Sequence, residues 1–457
     1  MLDLVLTGGL VCNAGVDPVL ADIGVKDGVI AGVYSASSHP EAKQVFDATG
    51  RVVMPGLLDA HVHPGVYEPL AEDLQYLTRF AALGGITTIV PFFRPNTSYL
   101  TAVPEVLETY RANSHLDFGL ILGITQQQHV DELGAVGRDF GINAFKFYLG
   151  YCGHEERFSA DFDFTDDSLV KVLRALAELP SDPLLAVHCE NSKISQYYQE
   201  TLRGGAQDLA FYDDINPVIS EMDSAVHVSL LGDHYGVRTC IVHVSAGSTA
   251  RTLKGLAWRN RENSVLETCA HYLCFDVDDP AGLRGVVRPP VRRRAEADLL
   301  WDYVADGTID TLGSDNCANH LDDKVDLDVY TTSRLGMGEL GLTLPLMLSE
   351  GHHQRGLPLG RIVELASTNI ARAHGLYPRK GVISPGADAD LVVVDLDKTA
   401  TVDSAALKGR DEGSIYEGRN LRGWPVATIA AGQVIAQDGE FSGSLGNARF
   451  MEVGRSQ

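Results

Sequence analysis

The sequence predicts an α/β chain, a TIM-like (β/α)8 barrel with a small all-β domain formed by both chain ends. Three observations point to it. The middle of the chain alternates short apolar runs with helical patterns. Roughly the first 50 and the last 80 residues instead read as short strands broken by Gly and Asp turns. At 457 residues the chain can bury a large core and hold more than one domain.

Taken in order, residues 2–6, 23–26, 29–33 and 52–53 are strand-like, with Gly8-Gly9 and Asp27-Gly28 as turn punctuation. Eight apolar runs follow, at 56–61, 87–92, 117–123, 144–149, 184–189, 240–245, 264–270 and 310–315. Helical periodicity falls between most of them, as at 168–179, 221–235, 248–260 and 295–305. Eight β/α units read as a closed barrel; a doubly wound open sheet is the alternative. Strand-like segments return at 389–394 and 427–430. The expected domain boundaries are 1–53 and 379–457 for the end-formed domain and 54–378 for the barrel.

A net charge of −24 argues against nucleic acid and against anionic membranes as partners, since both need a basic surface. It reads as a solvated acidic surface. The seven cysteines are scattered, with no C-x-x-C, which fits reduced thiols in a cytoplasmic protein. The start, Met1-Leu2-Asp3-Leu4, has no basic segment ahead of an apolar stretch, and no apolar run reaches membrane-spanning length.

The chemistry-bearing residues fall where such a barrel places its active site, at the C-terminal ends of strands. His61 and His63, in Leu57-Leu58-Asp59-Ala60-His61-Val62-His63, are spaced i, i+2 and so share one side of a strand, as two ligands of one divalent ion would. Lys146 lies in the fourth run, His188 ends the fifth, His243 the sixth and Asp315 the eighth. Any one histidine in an apolar strand is more often a hydrogen-bonded core residue than a ligand; the set of six at corresponding strand ends is far more specific. Lys146, between Phe145 and Phe147, would lose solvation and must pair, deprotonate or be modified. Carbamylation by CO2 would turn it into a carboxylate able to bridge two cations.

The order His-x-His, Lys, His, His, Asp resembles the amidohydrolase superfamily, and within it the cyclic amidohydrolases: hydantoinases, dihydropyrimidinases, allantoinases and dihydroorotases. The resemblance runs almost end to end, through Pro55-Gly56-Leu57-Leu58-Asp59, Ala82-Leu83-Gly84-Gly85-Ile86-Thr87-Thr88, Glu267-Thr268-Cys269-Ala270-His271-Tyr272, Pro289-Pro290-Val291-Arg292, Pro385-Gly386-Ala387-Asp388-Ala389-Asp390 and Gly423-Trp424-Pro425-Val426. It implies that the all-β domain is a β-sandwich and that the barrel holds two divalent metal ions. These would be zinc, with manganese or cobalt as substitutes, bridged by N6-carboxylysine at Lys146. His61, His63 and Asp315 would hold the more buried ion, and His188 and His243 the other. The implied reaction is attack of a metal-bridging hydroxide on a cyclic amide or ureide, with Asp315 as proton shuttle and Tyr151 as donor to the oxyanion. A homo-oligomer, tetramer or dimer, is implied as well.

The subclass is read from smaller features. Tyr151 favours a hydantoinase or dihydropyrimidinase. Pro64-Gly65 follows His-x-His where dihydroorotases typically carry Leu-Arg, yet Arg94-Pro95-Asn96-Thr97 is similar to their Pro-Asn-Thr segment. Arg94 and Asn96 are therefore substrate-contact candidates, the alternative for Arg94 being a surface loop residue. His271 resembles the histidine common in allantoinases and dihydroorotases. Arg288 stands where hydantoinases have a serine whose backbone contacts the ring, and Asn316 where the family often has histidine, with His320 at shifted spacing. The leading expectation is a ring-opening hydrolase of hydantoinase or dihydropyrimidinase type. The alternatives are an allantoinase or dihydroorotase-like enzyme, a non-catalytic structural homologue, or a deaminase on the same barrel.

Overall fold

The structure, a computed structural model, describes residues 1–36, 38, 40–150, 162–256, 264–317, 335–404 and 414–453. Its N-terminal segment forms β1 (Leu2–Val11), β2 (Val19–Lys26), β3 (Val29–Ser35), β4 (Ala42–Asp47) and β5 (Val52–Pro55). The middle forms β6 (Leu57–Asp59), β7 (Ile86–Ile89), β8 (Phe92–Phe93), β9 (Asp117–Phe118), β10 (Ile121–Gly123), β11 (Ala144–Leu149), β12 (Leu184–Cys189), β13 (Arg238–Ile241), β14 (Ser264–Cys269) and β15 (Thr311–Gly313). The C-terminal segment adds β16 (Leu391–Thr401), β17 (Asn420–Ala430), β18 (Gln433–Gln437) and β19 (Glu440–Phe441). Two compact units result. One comprises Met1–Val90, Thr109–Phe118 and Gly338–Met451, the other Pro91–Glu108, Gly119–Met337 and Glu452–Gln457.

In the first unit both chain ends build one sheet, ordered β19-β18-β17-β16-β5-β1-β2-β3 with β4 also on β1. The ends meet where β5 pairs antiparallel with β16, Val53 opposite Val393. Leu4, Leu6, Ile23, Val25, Val53, Leu391, Val393 and Ile429 pack as its core. The expected turn at Gly8-Gly9 is instead a bulge inside β1. The register with β2 slips between Leu6 and Gly9, Gly8 takes φ +66, and its N–H donates to Asp22 Oδ1 at 2.9 Å. Glycine here supplies the left-handed residue that lets the strand continue, not a chain reversal. β4 carries no strand signal in the sequence, since its Ala-Lys-Gln-Val-Phe-Asp has little continuous apolar character. A short parallel sheet, β6-β7-β9, completes the unit's strands.

A buried charge cluster joins distant segments of this unit. The Lys380 ammonium meets Asp117 Oδ2 at 2.6 Å and Asp388 Oδ2 at 3.0 Å, and also bonds Asp390. Arg449 closes the other side, pairing with Asp117 and with Asp388 at 2.8 Å. Burial alone pulls Lys380 down, but Asp390, Asp117 and Asp388 together outweigh it and hold the ammonium protonated well above its ordinary range. Asp117, Asp388 and Asp390 carry oxygens close enough to hold a cation, and the ammonium fills that role.

The second unit is a parallel sheet ordered β15-β14-β13-β12-β11-β10-β8. β11 and β12 are buried along their whole length, as strands covered on both faces must be, and so read as unbroken apolar runs. The predicted runs at 87–92 and 117–123 each divide into two short strands, the first around Val90-Pro91, where proline has no N–H to donate. Helices lie between the strands: Asp166–Ala177, Val218–Tyr235 and Arg294–Ala305 have bounds close to those expected, and Gly247–Gly255 matches the start of the run 248–260, whose positions 257–260 lie outside the described residues. Val218–Tyr235 starts behind Pro217 and ends on Gly236 at φ 66, a left-handed C-terminal stop. Among the described residues no helix is long and apolar enough to cross a membrane.

Candidate active site

In the first unit, Asp59 ends β6 and its Oδ1 accepts the backbone N–H of His61 at 2.9 Å. This bond fixes the turn that carries both histidines. His61 is buried and His63 half-buried, with ring centroids 5.2 Å apart and nearly perpendicular. Both lie beyond the last strand residue rather than on it.

In the second unit, Lys146 sits inside β11 and is 1% exposed. Its ammonium lies 4.8 Å from the Phe92 ring centroid and 5.6 Å from that of Tyr148, and makes no hydrogen bond among the described residues. Burial pulls its pKa down to about 8, against the opposing pull of Asp315 and Glu267. Burying an ammonium in an apolar strand is costly, and a perturbed amine of this kind marks a candidate functional residue.

His188 lies in β12 and His243 two residues past β13. His188 Nδ1 and His243 Nε2 are 3.0 Å apart. His188 Nε2 faces Glu190 Oε2 at 2.9 Å, and Arg288 Nε donates to the same oxygen at 2.8 Å. Burial opposes ionisation of Glu190, but the Arg288 charge and the His188 hydrogen bond outweigh it and hold the carboxyl at about 2. Burial also lowers His188, against the opposing pull of Glu190.

His243 and Asp315 share a feature invisible in the sequence. Both are non-glycine residues in the left-handed region, at φ 43 and φ 52, each two residues beyond its strand. Such residues cost about 1–3 kcal/mol each and persist where the surroundings over-determine them. For His243 the determinant is Glu267, whose Oε1 accepts the His243 N–H at 3.2 Å inside the protein. Two residues on, the Ser245 hydroxyl accepts from Arg292 at 2.9 Å. Arg292 in turn grips Asp213 at 2.8 Å and the Asn216 carbonyl at 2.6 Å.

The other expected contacts are placed as follows. The Arg94 side chain is half-buried, with its guanidinium 5.7 Å from the Tyr148 ring centroid. Asn96 is exposed on the loop after β8. His271 lies on a single helical turn directly after β14, buried, its ring 4.1 Å from that of Tyr272. Tyr151 and His320 lie outside the described residues. Burial pushes the Cys189 and Cys240 thiols well up, which suits inert core residues.

Glu190 and Glu267 are not among the sequence candidates, although each is a carboxylate within or beside an apolar strand. That was the available signal, because a buried acid needs partners.

A protein-family model described as the Amidohydrolase family matches residues 52–435. The chain belongs to that family. An L-hydantoinase of Paenarthrobacter aurescens is 32% identical over 454 residues, covering 94% of each chain. An allantoinase of Rubrobacter xylanophilus is 33% identical over 471 residues, covering 100% of this chain and 98% of that one. Among solved structures, an L-hydantoinase (dihydropyrimidinase) from Arthrobacter aurescens superposes with a TM-score of 0.89 at 30% identity, covering 99% of this chain and 100% of that one. The fold is therefore the expected (β/α)8 barrel with a small β-sandwich from both chain ends. The chain is a hydrolase of the cyclic amidohydrolase group.

Proposed function

We propose that this protein opens a cyclic amide or ureide ring, of hydantoin or dihydropyrimidine type, by metal-dependent hydrolysis. The observation that carries the reading is Lys146: a fully buried amine with no hydrogen-bond partner among the described residues and a pKa near 8. A neutral amine of this kind reacts with CO2, and the resulting carbamate is the donor that a two-ion site lacks among the remaining residues. His61, His63 and Asp315 would hold one ion, His188 and His243 a second, and carboxylated Lys146 both. This imidazole and carboxylate donor set fits zinc, and also manganese or cobalt.

When bound, such ions acidify water and polarise a carbonyl. The chain's own residues do the rest. Asp315 takes the proton from the attacking water as the new C–O bond forms. It returns that proton to the ring nitrogen as the C–N bond breaks, giving an open-chain N-carbamoyl or ureido acid. Tyr151 donates to the carbonyl oxygen as charge develops there. Arg94, Asn96 and His271 remain candidates for substrate contact; Arg288, the fourth residue the sequence offers, bonds Glu190. The proposed bounds of 1–53, 54–378 and 379–457 rest on the strand and helix patterns of the sequence, a cytoplasmic location on its cysteine usage, and a dimer or tetramer on the family resemblance.

An allantoinase is the second reading, favoured by the R. xylanophilus relative. A panel of hydantoin, dihydrouracil, allantoin and dihydroorotate, offered to protein loaded with divalent metal and bicarbonate, tests both. Opening of hydantoin or dihydrouracil supports the first reading, and opening of allantoin alone moves it to the second. A panel left wholly unopened overturns the proposed reaction.

A further inference from the structure

We propose that Arg288 is a positioning residue for the His188–His243 pair, acting through Glu190. The proposal rests on the reading of those two histidines as ligands. Three contacts run in series. Arg288 Nε donates to Glu190 Oε2 at 2.8 Å, that oxygen lies 2.9 Å from His188 Nε2, and His188 Nδ1 lies 3.0 Å from His243 Nε2. A carboxylate oxygen can only accept, so the ring hydrogen of neutral His188 sits on Nε2. The lone pair is then on Nδ1, the nitrogen turned toward His243. The hydrogen bond on the far nitrogen selects which nitrogen is free to bind an ion.

The backbone of Glu190 is already pinned. Its carbonyl lies against Gly150, where an added Cβ would come within 1.7 Å, and the next N–H, that of Asn191, donates to Ser220 O at 2.9 Å. What remains free is the direction of the carboxylate, and Arg288 fixes it by engaging the same oxygen that meets His188. The Arg288 side chain is 14% exposed and that of Glu190 is 0% exposed, so solvent does little to compete for this bond. Arg288 thereby sets the ring orientation of a histidine it does not touch.

The test uses the full chain loaded with zinc and bicarbonate, as wild type, Arg288→Met, Arg288→Lys, Glu190→Gln and Arg288→Met/Glu190→Gln. Zinc release into a chromogenic chelator is followed together with kcat and KM. Arg288→Met is expected to release one ion about 10–100-fold faster, Arg288→Lys to restore most of the retention, and KM to stay near wild type. The double variant should be no worse than Glu190→Gln alone, since both changes act on one chain of contacts.

Unchanged release with a raised KM would make Arg288 a substrate contact and overturn the proposal. A lowered melting temperature with unchanged release would reduce it to a packing residue. If Arg288→Met fails to fold, Arg288→Lys and Glu190→Gln still decide the matter through zinc release. Wild type that holds no zinc after loading removes the ligand reading itself, an outcome distinct from a zinc-loaded wild type whose variants match it.

Discussion

Replacing Lys380 by methionine removes the central cation of the buried cluster while keeping most of its volume. The ammonium sits 2.6 Å from Asp117 and 3.0 Å from Asp388, and also bonds Asp390. At an effective dielectric near 20, charges about 3 Å apart attract by about 5 kcal/mol per contact. Desolvation of the buried ions offsets much of this gross attraction. Deleting one partner of a buried ionic group leaves the others uncompensated, which costs about 3–5 kcal/mol.

The sign with pH follows from the carboxyls. Asp117 and Asp388 are both buried, which pushes them up, but Lys380 and Arg449 outweigh burial and hold them low. Their stabilisation is therefore present above the ordinary carboxylate range and lost as pH falls. Asp390 is already raised by burial, despite Lys380. Without Lys380 all three rise and can protonate in place, so the variant's deficit shrinks on acidification. Urea unfolding at pH 8 should show a loss of about 3–5 kcal/mol, and at pH 5 a clearly smaller one. A deficit below about 1 kcal/mol at pH 8, or one equal at both pH values, would refute the reasoning.

Three further outcomes follow from the same structure. Gly150→Ala places a Cβ 1.7 Å from the Glu190 carbonyl at a position with φ +76, so it should destabilise the protein by about 2–5 kcal/mol and abolish turnover, measured by thermal melting and activity. Glu267→Ala leaves the buried His243 N–H without its carboxylate acceptor; about 1–3 kcal/mol of stability and faster zinc loss are expected, and unchanged zinc retention would count against the role given to Glu267. Cys12, Cys189, Cys240, Cys269, Cys274 and Cys317 are all buried, so mass spectrometry after brief treatment with a thiol reagent should find them unlabelled until denaturant is added.

The barrel strands were legible where burial on both faces made the sequence continuous. The runs at 144–149 and 184–189 coincide with β11 and β12, residue for residue. Legibility failed where one residue serves a tertiary purpose. Gly8 reads as a turn because glycine favours turns, yet Asp22 and a β-bulge carry the strand through it. β4 escaped notice because its stability comes from pairing with β1 and not from its own composition.

The site was legible as residue types at strand ends and not as geometry. His188 falls inside β12, whereas His243 lies two residues past β13 and Asp315 two past β15, both on left-handed backbone that the sequence does not show. Nor could the sequence place Arg288 against Glu190 across 98 residues of chain, which only the folded sheet brings together.

The central claim is a metal-dependent ring opening that needs Lys146. The most direct measurement is elemental analysis of wild type and Lys146→Ala, both loaded with zinc and bicarbonate, alongside turnover of the cyclic ureide panel. Wild type should hold about two ions and open the ring, with both lost in the variant. Wild type that binds no zinc and turns nothing over, or a variant that keeps both ions and full activity, would contradict it.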